Sequence, residues 1–152
     1  MTLLERIEGA MRDAMRARDH QRTQTLRMAM AAAHNRRIEL RRVLTDEEMV
    51  AVLDRQVKQR RESAEAFRSG GREDRAQDEE AEAVILREYL PEPLTSEELE
   101  SLARAAIAET GASSPAEMGK VMGRLTPQTK GRADGRDVSE LVRRLLSEGS
   151  GA

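Results

Sequence analysis

The chain has 152 residues, enough to bury one moderate core or two small ones. It contains no cysteine, which excludes disulfides, a thiolate nucleophile and a zinc–thiolate site. It also has one phenylalanine, one tyrosine and no tryptophan, so we predict an aliphatic core. The same composition argues against recognition of single-stranded nucleic acid by stacking bases on aromatic side chains.

The net charge of −2 hides an uneven distribution along the chain. Residues 1–68 carry 15 basic and 11 acidic groups, residues 69–117 carry 4 and 13, and residues 118–152 carry 7 and 4. If the two basic segments share a face, that face attracts phosphate; if they do not, the charges only solvate helices. No apolar run has the length of a signal peptide or a membrane span, so we expect a soluble cytoplasmic protein without a membrane partner.

Apolar residues recur at helical spacing almost throughout, which predicts an all-α protein. The first helix is expected over residues 2–18 and the second from a cap at Asp19 to about Arg42. Thr45 and Glu48 form a capping-box pattern for a third helix, which the pair Gly70-Gly71 ends. A fourth helix follows from about residue 72 and stops before Pro91.

The segment Pro91-Glu92-Pro93 predicts a boundary, because two prolines within three residues cannot continue a helix. We therefore expect an N-terminal helical domain over residues 1–90 and a C-terminal three-helix domain over residues 94–148. In the second domain the capping and terminating residues predict three helices, which start at Thr95, at Ser114-Pro115 and at Asp134, and which end at Gly111, at about residue 126 and at Gly149. Residues 149–152 are expected to fray.

Catalytic and metal-binding patterns are missing from the sequence. His20 and His34 have no second ligand at a metal-binding spacing, and the acidic run of residues 78–82 points to different faces of a helix. No catalytic triad, phosphate-binding loop or dinucleotide fingerprint occurs. We therefore predict no catalytic residue, no metal and no cofactor.

Two short runs, residues 118–124 and 130–136, break the compositional habit of the chain. Only three of its 26 basic residues are lysine, and two of these, Lys120 and Lys130, lie in the runs with four of the ten glycines. Gly119 and Gly123 are four apart and share one stripe of a helix, which we call the glycine stripe. Lys120 and Arg124 form the neighbouring stripe, which we call the basic ridge.

Two interpretations of this pattern remain open from local chemistry. The glycines can admit a phosphodiester or a partner helix close to the backbone, or they can let two helices of this chain pack together while the basic residues are merely solvated. The segment 126–133 is expected to be a loop that carries Lys130 and Arg132 to the N-terminus of the last helix. Free N–H groups and the helix dipole there also favour anions.

With these residues in view, the chain resembles the GatB/YqeY family, in its small stand-alone form. The most specific stretches are Met118-Gly119-Lys120-Val121-Met122-Gly123 and Lys130-Gly131-Arg132-Ala133-Asp134-Gly135. The resemblance extends almost end to end, through Leu3-Leu4-Glu5-Arg6-Ile7, Leu26-Arg27-Met28, Gln59-Arg60 with Ser63, Gly71-Arg72, Tyr89-Leu90-Pro91 and Gly111-Ala112.

The resemblance implies two helical subdomains and kinship with the C-terminal tail of the GatB subunit of the tRNA-dependent amidotransferase. In that enzyme the tail contacts the outer corner of the tRNA, whereas amide transfer belongs to domains that this chain lacks. The resemblance therefore implies RNA binding without catalysis. The implied residues, with the neighbouring cations of the same runs, are Gly119, Lys120, Gly123, Arg124, Lys130, Gly131, Arg132 and Arg136.

Three functional hypotheses follow. The first is a non-catalytic tRNA-binding accessory domain, with tRNA as partner together with components of the amidotransferase or of an aminoacyl-tRNA synthetase. The second is a helical protein-interaction module whose glycine stripe receives a partner helix. The third is direct participation in carbon–nitrogen ligase (amidotransferase) activity with glutamine as amide donor, which is disfavoured because the sequence offers no nucleophile, glutaminase cysteine or ATP-binding loop.

Overall fold

The computed structural model describes residues 1–150, and every regular element in that range is helical, which confirms the all-α prediction. The chain divides into two compact units, Met1–Pro91 and Glu92–Ala152, which we call the N-terminal and C-terminal units. The elements are α1 (Leu3–Arg16), α2 (His20–Leu40), α3 (Asp46–Ser69), α4 (Glu73–Arg87), α5 (Ser96–Thr110), a 3₁₀ turn (Pro115–Glu117), α6 (Met118–Thr129) and α7 (Gly135–Ser150).

The N-terminal unit packs α1 to α4 around an aliphatic core. Its fully buried side chains include Ile7, Leu26, Met49, Leu53 and Leu86, which come from all four helices. The apolar residues whose spacing predicted these helices also form the faces along which the helices pack. The core is therefore built from Leu, Ile, Val, Ala and Met, as the aromatic-poor composition requires.

A partly buried charged cluster joins α3 to α4. The side chain of Arg60 is 12% exposed and approaches the carboxylates of Glu79 at 3.5 Å and Glu82 at 3.4 Å. Burial raises the pKa of Glu82, and the nearby Arg60 guanidinium opposes that rise. Because Arg60 contacts both carboxylates, its removal would deprive two partly buried carboxylates of an ion-pair partner.

A second polar contact holds the two residues that follow α4. Arg22 on α2 donates to a carboxylate oxygen of Glu88 at 2.6 Å and to the hydroxyl of Tyr89 at 2.6 Å. Its guanidinium also lies 5.8 Å from the centre of the Tyr89 ring. After α4, the N–H groups of residues 88–90 donate to carbonyls three residues earlier in the chain, as in a 3₁₀ turn. No helix runs through Pro91.

Several helix starts follow the predicted capping patterns, but Ser114, the expected cap of the sixth helix, makes no side-chain capping bond, and a 3₁₀ turn precedes the α-helix that starts at Met118. Thr95 and Glu98 make both bonds of a capping box, as predicted, whereas the box predicted for Thr45 and Glu48 forms only its first bond, in which the Thr45 hydroxyl accepts from the Glu48 N–H at 3.2 Å. The Asp19 cap is also confirmed, because its carboxylate accepts from the Arg22 N–H at 3.0 Å. Helix α2 ends at Leu40, two residues before the predicted end, because Arg41 takes a left-handed conformation.

The C-terminal unit packs α5, α6 and α7 around a smaller core. Its buried side chains are aliphatic and come from all three helices: Ala103, Ala106, Ala112, Val121, Leu125, Val138, Val142, Leu145 and Leu146. Thr129 is also buried, at the end of α6. Leu125 and Thr129 are one helical turn apart, so both continue the same inward face.

Two predicted helix ends in this unit were wrong. Helix α6 does not stop near residue 126 but continues through Pro127 to Thr129. Pro127 lacks only one N–H, and the buried positions before and after it favour continuing the helix. Helix α7 runs past Gly149 to Ser150, because glycine permits a helix end without enforcing one. Residues 151 and 152 of the predicted frayed tail lie outside the described residues.

Candidate nucleic-acid interface

The orientation of α6 decides which of its residues are available. Val121, Leu125 and Thr129 are buried against the core of the C-terminal unit. Because these positions repeat every four residues, they define one inward face. Gly119, Lys120, Gly123 and Arg124 lie on the opposite side and are exposed. The glycine stripe and the basic ridge therefore run side by side along the outward face of α6.

The glycine stripe is open. A Cβ atom added at Gly119 or at Gly123 would meet no other atom within 4 Å. These glycines therefore do not serve helix packing within the part of the chain that the structure describes. Since glycine weakens a helix interior relative to alanine, Gly123 costs stability without a packing gain that the described contacts explain.

The exposed cations differ in how far they are neutralised. Lys120, Lys130 and Arg136 are exposed, and none makes an ion pair within residues 1–150. The Nε atom of Arg124 lies 3.4 Å from a carboxylate oxygen of Glu109, a residue in the last turn of α5. Three cations of the predicted set thus make no ion pair within the described residues, although Arg136 lies beside the carboxylates of Asp134 and Asp137, and a fourth, Arg124, is partly neutralised.

Lys130 is displayed by a tight turn rather than by the predicted loop. Its dihedral angles are φ −58° and ψ 126°, Gly131 follows with φ 77°, and the Arg132 N–H donates to the Thr129 carbonyl at 2.9 Å. This is the pattern of a type II turn, which favours glycine at its third residue. Gly131 is buried. Its presence is therefore explained by backbone conformation and not by access for a ligand.

Arg132 has a structural task within the C-terminal unit. Its Nε–H donates to the Glu92 carbonyl at 2.9 Å, and its own carbonyl accepts from the Leu94 N–H at 2.9 Å. These two bonds hold the segment that precedes α5 against the turn. The half-buried Arg132 is therefore less available to an external anion than Lys120 or Lys130.

The N-terminus of α7 already has an anion of its own. The carboxylate of Asp134 accepts from the Arg136 N–H at 2.8 Å, and the Asp134 carbonyl accepts from the Val138 N–H at 3.0 Å. Asp137 adds a second carboxylate to the first turn. An external phosphate would compete with these groups, so the expected anion site at this helix end is occupied by the chain itself.

Sequence reasoning missed two partners in this region, Glu109 and the Glu92 carbonyl. Glu109 lies 15 residues before Arg124 and the Glu92 carbonyl lies 40 residues before Arg132. No local pattern signals either contact. The sequence did indicate that Lys120 and Lys130 are unusual, because the chain otherwise uses arginine.

Other kinds of site find little support in the described residues. His20 and His34 are exposed, and no group of three His, Cys, Asp or Glu side chains between residues 1 and 150 could hold a metal ion. Within the same range, no helix combines the length and apolar character needed to cross a membrane. The surface of α6 and the adjoining turn is thus the strongest candidate site.

A family model described as Yqey-like protein matches residues 4–146. The chain belongs to this family. A protein of Pyrenophora tritici-repentis named "Altered inheritance of mitochondria protein 41, mitochondrial" is 31% identical over 149 residues, which cover 95% of this chain and 81% of that protein. An uncharacterised protein of Schizosaccharomyces pombe is 30% identical over 86 residues, or 57% of this chain and 70% of that protein.

Proposed function

We propose that this YqeY-family protein is a non-catalytic tRNA-binding accessory protein whose interface is the outward face of α6 together with Lys130. The observation that carries the proposal is the open glycine stripe on the same face as Lys120, which, like Lys130, is exposed and makes no ion pair within residues 1–150. A phosphodiester can approach the α6 backbone closely where glycine leaves no side chain, and the neighbouring ammonium groups then meet its charge.

The chemistry of the surface favours RNA backbone over exposed bases. Both aromatic residues, Phe67 and Tyr89, lie in the N-terminal unit, so the C-terminal unit offers no aromatic platform for stacking. Folded RNA presents closely spaced phosphates and 2′-hydroxyls on a regular surface. The choice of tRNA comes from the resemblance to the tail of the amidotransferase subunit, which contacts tRNA in its own enzyme.

A cytoplasmic location belongs to the same proposal, since tRNA is charged and used there. The name of the Pyrenophora relative assigns that protein to mitochondria, a compartment with tRNA of its own. Fractionation of cells that express the tagged full chain tests the location. Recovery in a tRNA-free compartment would contradict the proposal.

The deciding experiment titrates labelled total tRNA with the full chain at several salt concentrations. Contacts to phosphate release counterions, so the logarithm of the binding constant must fall linearly with the logarithm of the salt concentration. The double variant K120Q/K130Q should weaken binding and reduce the slope by about one unit for each lost contact, or about two units together. The melting temperature should not change, because both side chains are exposed.

The matched control is the double variant R143Q/R144Q. Arg143 and Arg144 are exposed on α7 in the same unit, and their removal changes the net charge by the same amount. If both double variants weaken binding equally, net charge and not the α6 surface governs the affinity. If the wild-type protein binds no tRNA at any salt concentration, the proposed function is wrong.

A further inference from the structure

The contact between Arg124 and Glu109 sets one cation of the proposed interface apart from the others. The two side chains are 57% and 55% exposed, and the Nε–Oε2 distance is 3.4 Å. Such an exposed pair is weak, so Arg124 can exchange its carboxylate partner for a phosphate. The carboxylate would then remain beside the incoming phosphate and repel it.

Glu109 is poorly placed for the stability of its own helix. It lies in the last turn of α5, a turn that contains no basic residue, and the negative end of the helix dipole disfavours a carboxylate there. Two other acids of α5, Glu97 and Glu98, lie in its first turn, where the dipole favours them. The contact with Arg124 therefore offsets part of this unfavourable placement.

We propose that Glu109 masks Arg124 and thereby lowers the affinity of the α6 surface for polyanions. This inference rests on the proposed function for its natural ligand, though the masking itself concerns any polyanion. Binding requires Arg124 to leave Glu109, which takes up a cation from solution when it is released. The cation taken up by Glu109 cancels the one that Arg124 displaces from the ligand, so the net number of cations released on binding is smaller. The masked surface should therefore bind more weakly, and with a shallower salt dependence, than an unmasked one.

The test is the variant E109Q, with E100Q as its matched control. Glu100 lies on the same helix and pairs with Arg104 at 2.9 Å, with side chains 42% and 61% exposed, so E100Q removes an equal charge without unmasking the ridge. We expect E109Q to bind total tRNA about two- to fivefold more tightly than wild type and to steepen the salt slope by up to about one unit. E100Q should show only the smaller effect of net charge.

A double-mutant cycle separates masking from general repulsion. In the background R124Q there is no cation to unmask, so the further change E109Q should have little effect beyond that of E100Q. Equal effects of E109Q with and without Arg124 would overturn the inference. The thermal stability of E109Q should not fall, because the substitution removes an unfavourable charge from the end of α5.

Retention on heparin, a sulfated polyanion, tests the masking without tRNA. E109Q should elute at a higher salt concentration than both wild type and E100Q. If tRNA binding is absent but E109Q alone shifts on heparin, the proposed function fails and the masking stands. If wild type binds tRNA through Lys120 and Lys130 but E109Q matches E100Q in both assays, the function stands and the masking is refuted.

Discussion

Replacement of Gly123 by alanine should move stability and RNA binding in opposite directions. Gly123 lies inside α6, and a Cβ added there meets no atom within 4 Å. Glycine in a helix interior is destabilising by about 0.5–1 kcal/mol relative to alanine, so G123A should stabilise the C-terminal unit by that amount. For a domain of this size the gain corresponds to roughly 2–8 °C in melting temperature.

Since the chain has two units, the measurement must report on the second one alone. Urea unfolding followed through NMR signals of α7 residues does so, because α7 packs in the core of the C-terminal unit. The control is G111A. Gly111 also has open space around an added Cβ, but its φ of 70° is left-handed, so alanine there should destabilise by about 1 kcal/mol or more.

The tRNA affinity completes the prediction. G123A should weaken binding because a methyl group stands where the phosphodiester approaches, and G123L should weaken it further while the helix remains intact. A loss of stability in G123A would mean that Gly123 serves packing that the described contacts do not show. A gain in stability with unchanged tRNA affinity would remove the glycine stripe from the interface.

Three further predictions concern the stability of the two units, each taken by itself. G131A should destabilise the C-terminal unit by about 1–2 kcal/mol in urea unfolding, because alanine disfavours the φ of 77° in the turn. R22A should lower the stability of the N-terminal unit by about 1 kcal/mol and change the fluorescence of Tyr89, the only tyrosine, because it removes the bonds to Glu88 and to the ring hydroxyl. Hydrogen bonding to Arg42 lowers the pKa of Glu48. The stability that this carboxylate contributes is therefore present above its usual pKa and is lost as the pH falls through the lowered value. The difference in unfolding free energy between wild type and E48Q should accordingly shrink as the pH is lowered from 7 to 3.

The helix starts after Asp19, Thr45 and Thr95 could be predicted because their causes are local. Thr95 and Glu98 satisfy each other's backbone donors within four residues, and any sequence with this pattern before an apolar stripe carries the same information. The end of α6 could not be predicted in this way. Pro127 indicates a stop by local rules, but the burial of Thr129 in the core depends on helices that lie elsewhere in the chain.

The same distinction applies to the candidate site. The glycine stripe and the basic ridge follow from helical spacing, so their position on one face of α6 was predictable from the sequence. The contacts of Arg132 with the segment before α5 and of Arg124 with Glu109 are tertiary. In the sequence motif these two arginines look like equivalent cations. In the structure Arg132 holds the segment before α5, whereas Arg124 forms an exposed ion pair with Glu109.

The glycines of the motif likewise have two different physical causes. Gly123 matters through the side chain that it lacks, because the space beside it is open. Gly131 matters through its left-handed backbone, which turns the chain so that Lys130 is exposed and Arg132 reaches the Glu92 carbonyl. Asparagine tolerates a left-handed backbone, so the φ of Gly131 alone does not exclude it, whereas at position 123 any side chain fills the space that close approach requires. In the proposed interface, one half of the motif therefore supplies the contact surface and the other half supplies the turn that presents its second lysine.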